Sequence, residues 1–185
     1  MTQYDDSHTK SIELAIDVVL NRTVTQLLTD IDDVGRLIVV GIQTRGVPIA
    51  HRICKLIVER TGICPEMGSL DITLYRDDVF QQRNLPRVGV TQIRSSLEGM
   101  QVLLVDDVLF TGRTIRAALD ALMDFGRPDW IRLCVLIDRG HRELPIQADY
   151  CGQLVETTRL ERVEVRLKEV DGIDAYLIHR DDKEL

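Results

Sequence analysis

Residues 101–116 read QVLLVDDVLFTGRTIR. An apolar run from Val102 to Val105 ends in two adjacent carboxylates, Asp106 and Asp107. A small hydroxyl-bearing turn, Thr111-Gly112-Arg113-Thr114, follows, and an amphipathic stretch comes after it. This order predicts a buried parallel strand over 101–106 that delivers two acids to its carboxyl end, with a helix over 114–125 opening beside them. A helix start offers unpaired backbone N–H groups and the positive end of a dipole, which together favour an anion such as phosphate. Two carboxylates beside a phosphate cradle would repel a bare anion. They make sense if they grip sugar hydroxyls or a metal on the same ligand, so the segment reads as a site for a phosphorylated sugar.

Working outward, residues 9–31 place Ile12, Ile16, Val19, Leu20, Val24, Leu27 and Ile31 at helical spacing. LIVVGI (37–42) reads as a strand, Gln43-Thr44-Arg45-Gly46 as a turn, and 47–61 as a helix stopped by Gly62. Further strands are expected over 69–75, 131–138, 162–170 and 174–179. Residues 77–95 lack periodicity and carry Arg83, Arg87 and Arg94, which reads as a mobile functional loop. Strands alternating with helices predict an α/β fold, a mostly parallel sheet covered on both faces. Ligands in such sheets gather outside the carboxyl ends of the strands. Thr44-Arg45-Gly46, Asp106-Asp107 and Asp138-Arg139 all fall at such ends.

At 185 residues the chain is expected to form a single domain, 1–185, with one sizeable core. No run approaches the roughly 20 apolar residues that span a membrane, and the N-terminus MTQYDDSHTK lacks the regions of a signal peptide. Cys54, Cys64, Cys134 and Cys151 show no C-x-x-C spacing and read as reduced thiols rather than a metal site. These features predict a cytoplasmic protein with no membrane partner. A net charge of −7 argues against adventitious binding to nucleic acid. A phosphoacceptor receiver domain also carries paired acids at a strand end. There the pair follows the first strand, whereas here it lies past the midpoint and precedes a phosphate turn.

The 101–116 segment resembles the binding motif for phosphoribosyl diphosphate (PRPP) of type I phosphoribosyltransferases. Five blocks narrow the resemblance: VGIQTRGVPIAHRI (40–53), DITLYRDD (71–78), VDDVLFTGRT (105–114), ALMDFGRP (121–128) and LIDRGHRELPIQADYCG (136–152). In this order they resemble the PyrR family, pyrimidine-operon regulators with uracil phosphoribosyltransferase activity, from about residue 10 to about residue 178. The resemblance implies the type I fold, with a core over about 35–140 and a small hood built from the N- and C-terminal segments. It implies PRPP with Mg²⁺ as cofactor, uracil as acceptor, UMP as product and effector, and a homo-oligomer, a dimer or higher.

By matching motif, Arg45, Asp106 and Asp107 would be catalytic. Asp106 and Asp107 would hold ribose, and Thr111, Gly112, Arg113 and Thr114, with Val108, Leu109 and Phe110 leading into them, the 5-phosphate. Thr44, Arg45 and Gly46 would meet pyrophosphate. An arginine suits that role because its guanidinium forks to two oxygens, while Gly46 lets the backbone approach closely. Arg76 and, on the base side, Asp138, Arg139 and His141 would line the site. The metal would arrive through PRPP, since Mg²⁺ keeps most of its waters and needs few protein ligands.

The resemblance also implies binding of a pyrimidine-operon mRNA hairpin. Where RNA-binding members carry basic residues, this chain has Asn21, Thr25 and Asp30 on the first helix and Gln147 and Gln153 later. Each missing cation removes a phosphate contact, so RNA binding is expected to be weakened or lost. Arg22, Arg142, Arg159 and Arg162 are the cations that could rebuild a patch. Two alternatives stay open at this level: an RNA-binding regulator with vestigial catalysis, and a phosphoribosyltransferase for another base.

Overall fold

The computed structural model describes residues 4–5, 9–13, 15–75 and 89–180. A five-stranded, wholly parallel sheet runs in the order β4-β3-β5-β6-β7, from Glu66–Leu70, Leu37–Ile42, Gln101–Leu109, Trp130–Asp138 and Tyr150–Leu154. Its strands are apolar on both sides because both faces are covered. Val39, Leu103, Val105 and Leu136 join a core beneath helices α1 (Ile16–Asp30) and α2 (Gly46–Thr61). Ile38, Val40, Val102, Leu104 and Val135 join a second core beneath α3 (Arg113–Met123). Each fully buried Ile or Leu in these layers stabilises the fold by about 1.5–3 kcal/mol.

A second sheet, antiparallel in the order β1-β2-β9-β8, takes Tyr4–Asp5 and Thr9–Glu13 from one end of the chain. Glu161–Arg166 and Ala175–Arg180 come from the other end, joined by the one-turn helix α4 (Lys168–Asp171). Val163, Val165 and Tyr176 of this sheet pack into the core under α1 and α2.

The expected helix over 9–31 is divided: residues 9–13 form β2, and the helix begins at Ile16. Ile12 matches helical spacing by chance, and pairing opposite Tyr176 of β9 overrides it. The strand expected over 69–75 ends at Leu70. There Asp71 turns the chain, its carboxylate accepting from the Thr73 N–H at 2.8 Å and Thr73 Oγ1 at 2.6 Å. Likewise the stretch 162–170 leaves its strand at Arg166 to form α4. β7 was not anticipated, being short and mixed in polarity.

The loop expected over 77–95 lies outside the described residues as far as 88, as do Arg76, Arg83 and Arg87. Residues 89–95 are described, and Gln92 bridges to Ser69 of β4. Among the described residues no helix is long and apolar enough to cross a membrane. All four cysteines are free thiols, and burial pushes the thiols of Cys54 and Cys134 up to about 12, so both stay protonated.

Candidate active site

Parallel strands bring the turns after β3, β5 and β6 to one edge of the sheet. The turn after β3 contains the cis peptide Gln43–Thr44, and α2 starts at Gly46 with Arg45 as its N-cap. A Cβ on Gly46 would collide with the Val105 carbonyl and come within 3.4 Å of Asp106 Cα. The glycine thus lets α2 begin directly against β5, which sets Arg45 beside the aspartate pair. The sequence reading has this glycine let the backbone approach ligand oxygens; in the fold its side-chain face lies against β5.

β5 runs on to Leu109 rather than ending at Asp106, because it keeps its pairing with β6 through Val108↔Ile137 and Leu109↔Asp138. Both carboxylates therefore project from a hydrogen-bonded strand. Asp106 is 7% exposed and Asp107 half-buried. Asp106 accepts from the Asp107 N–H at 2.9 Å, and Asp107 from the Val108 N–H at 2.9 Å. Burial holds the Asp106 carboxyl well above the usual carboxylate range, and the neighbouring charge of Asp107 adds to the effect. Burial also raises Asp107, opposed in part by the Arg45 guanidinium. Such a pair is short of hydrogen-bond donors and positive charge. Sugar hydroxyls or a cation would supply either.

The turn Phe110–Gly112 carries the chain into α3. Gly112 sits at φ 91°, a left-handed conformation natural to glycine, and α3 has no side-chain cap. A helix start beside the carboxyl ends of parallel strands is the setting in which backbone N–H groups cradle an anion. The 141–144 segment steadies this turn: Glu143 and Leu144 donate backbone N–H to the Thr111 carbonyl at 2.9 and 3.2 Å. Arg113 Nε meets the Glu143 carboxylate at 2.7 Å, and its backbone N–H donates to Thr111 Oγ1 at 3.4 Å. Leu109 is buried in the α3-side core and its carbonyl accepts from the Arg139 N–H at 3.0 Å; Val108 packs on the opposite core.

After β6, Asp138 accepts from the Gly140 N–H at 2.9 Å and is also paired with Arg142. Arg139 is buried, with its guanidinium carbon 3.9 Å from the Phe110 ring centroid and Nη2 donating to the Thr158 carbonyl at 2.9 Å. Burial lowers its pKa. His141, at φ 61°, meets Phe110 edge-on at 6.0 Å. Its Nε2 lies 2.6 Å from the Thr157 carbonyl, to which it donates. Asp138, His141, Gln147, Leu154 and Thr157 line an open pocket of about 780 Å³ beside this segment.

Arg45, Asp106, Asp107, the 111–114 turn and the 138–141 segment thus converge, whereas Arg76 lies outside the described residues. Two contributors escaped the sequence. Thr157 anchors both Arg139 and His141, and Asp171 of α4 meets Arg45 Nη2 at 3.2 Å. Both lie in polar stretches with no local pattern, and only the return of the C-terminal strands brings them here.

The phosphoribosyl transferase domain family model matches residues 10–169. A bifunctional protein PyrR of Chloroflexus aurantiacus is 50% identical over 165 residues, covering 87% of this chain and 91% of the relative. One of Thermus thermophilus is 57% identical over 138 residues, covering 75% and 76%. Among solved structures, a hypoxanthine phosphoribosyltransferase of Trypanosoma cruzi superposes with a TM-score of 0.70 at 16% identity, covering 96% of this chain and 94% of that one. Another from Staphylococcus aureus gives 0.65 at 20% identity, covering 91% and 89%. At these identities the structural likeness is one of fold, the type I phosphoribosyltransferase fold.

Proposed function

The chain belongs to the phosphoribosyltransferase domain family and, within it, to the bifunctional PyrR proteins, and from that membership we propose that it transfers the phosphoribosyl group of PRPP to uracil, forming UMP and pyrophosphate. The observation that carries this reading is the buried aspartate pair of β5 flanked by an arginine turn on one side and an uncapped helix start on the other.

In this reading Asp106 and Asp107 accept hydrogen bonds from the ribose hydroxyls, and the Thr111–Thr114 turn holds the 5-phosphate through backbone N–H groups and threonine hydroxyls. Thr44 and Arg45 take the departing pyrophosphate, whose growing negative charge the guanidinium neutralises. Holding sugar, phosphate and leaving group at three fixed points positions carbon 1 for the base. The pocket beside Asp138 and His141 is where the base would lie. Among the described residues no cluster of three or more His, Cys, Asp or Glu could hold a metal. The carboxylate pair suits Mg²⁺ delivered on PRPP, with oxygens of the substrate and water completing its shell. When bound, Mg²⁺ supplies further neutralisation of the diphosphate.

The reading extends to the whole chain as one domain, a core over about 35–140 with a hood from the two ends, working in the cytoplasm as a homo-oligomer. The test is turnover of labelled uracil with PRPP and Mg²⁺, in competition with hypoxanthine and orotate. Formation of UMP is expected; binding of UMP without turnover, or preference for another base, would overturn it.

The family's second role would be binding of a pyrimidine-operon mRNA hairpin, and we propose that it is weakened here. Arg22 Nη2 is spent on the Cys151 and Gly152 carbonyls at 3.1 and 2.6 Å. Arg142 is spent on the Phe110 and Ile146 carbonyls at 2.7 and 2.9 Å. Of the four arginines that could rebuild a basic patch, Arg159 and Arg162 are exposed and have no such ties among the described residues.

A further inference from the structure

Arg45 and Arg52 lie seven residues apart on α2, and the segment Lys168–Asp174 lies against both. Arg52 is forked to two carboxylates: Nε and Nη2 meet Glu169 at 2.7 and 2.6 Å, while Nη1 and Nη2 meet Asp174 at 3.0 and 2.8 Å. That double fork is a structural tie. Arg45 is held differently. Its Nη2 alone reaches the two oxygens of Asp171, at 3.2 and 3.4 Å, and its Nε is buried without a partner. Asp171 is itself fixed, since its carboxylate accepts from the Leu167 N–H at 2.9 Å. A guanidinium with one loose contact and one idle N–H is not built as a strut. It is a cation shared between an internal anion and something else.

We infer that Asp171 is an internal competitor for the pyrophosphate contact of Arg45: it holds the guanidinium in the empty site, yields it to the diphosphate, and by reclaiming it promotes release of pyrophosphate. This rests on the proposed role of Arg45. The carboxylate cannot move far, because Leu167 anchors it, so it stays within the field of the bound diphosphate. Like charges at that separation oppose each other, and salt screens the effect. Asp171 is in this sense a positioning residue, acting on substrate and product through Arg45.

The experiment is calorimetric titration of the full-length protein with magnesium pyrophosphate, paired with its inhibition constant in UMP synthesis. Asp171→Asn keeps the shape of the side chain and its acceptor for Leu167, and should bind pyrophosphate about tenfold tighter, with the gain shrinking as KCl is raised. Asp171→Ser should do the same if the asparagine variant does not fold. Glu169→Gln loosens the same segment without touching Arg45 and should leave pyrophosphate affinity unchanged. Unchanged or weaker binding in both Asp171 variants would overturn the inference, as would an equal gain in Glu169→Gln. Arg45→Ala separates the two levels: if it binds pyrophosphate as well as the parent, the assigned role of Arg45 itself fails.

Discussion

The buried carboxyl of Asp106 is costly to ionise in the folded protein. Burial raises its folded-state pKa above that of the unfolded chain, so between those two values the folded form keeps a proton that the unfolded form has released. The stability of the ligand-free protein is then undiminished by this group below the unfolded carboxyl range, about pH 4, and is eroded as pH rises through the folded value. Asp106→Asn removes that cost. Its melting temperature should exceed the parent's by about 2–4 °C at pH 8, with the difference narrowing towards pH 5, while PRPP affinity falls. Thermal melts across that range check it; a lower melting temperature at pH 8 would mark the carboxylate as structural. Arg45 lies on the other side of the ledger. Arg45→Ala removes a charge-assisted contact of about 1.5–3 kcal/mol, so kcat/KM for PRPP should fall about 10- to 100-fold. Steady-state rates at varied PRPP measure this.

At the scale of elements, the site depends on α2 starting against β5. Gly46 is the closest point, and Gly46→Ala sets a methyl group into the Val105 carbonyl. The start of α2 must then shift, costing about 1–3 kcal/mol and moving Arg45 away from Asp107. Urea unfolding and uracil turnover should both report the loss, whereas a variant stable and active as the parent would show that this approach can relax. The same elements show where sequence was sufficient. LIVVGI, VLLV and LCVLI are unbroken apolar runs, as strands covered on both faces require, and their strands appear as expected. Gly62 ends α2 in the left-handed conformation its position suggested. The ends of β4 and β5 were not legible. Hydrogen bonding to a neighbouring strand extends β5 past its charged residues, and Asp71 cuts β4 short by capping a turn.

At the scale of the whole molecule, charge and pairing bear on RNA. With a net charge of −7 and Arg22 and Arg142 tied to main-chain carbonyls, few cations are left to form phosphate contacts. Binding to the cognate leader hairpin with UMP present should stay weaker than about 1 µM near physiological salt, the range of nonspecific association. A salt-dependent gel shift at submicromolar protein would contradict this.

The sequence by itself determined the parallel sheet and the paired acids and glycine turn at its edge. Buried strands and a glycine turn beside paired acids are local patterns, written in consecutive residues. Only the tertiary structure decided that residues 9–13 form a strand, that Gly46 lets α2 start against β5, and that Asp171 and Thr157 reach the site. Residues 9–13, Gly46 and Asp171 meet partners more than 50 residues away, Thr157 meets Arg139 and His141 18 and 16 residues back, and no local preference encodes such contacts.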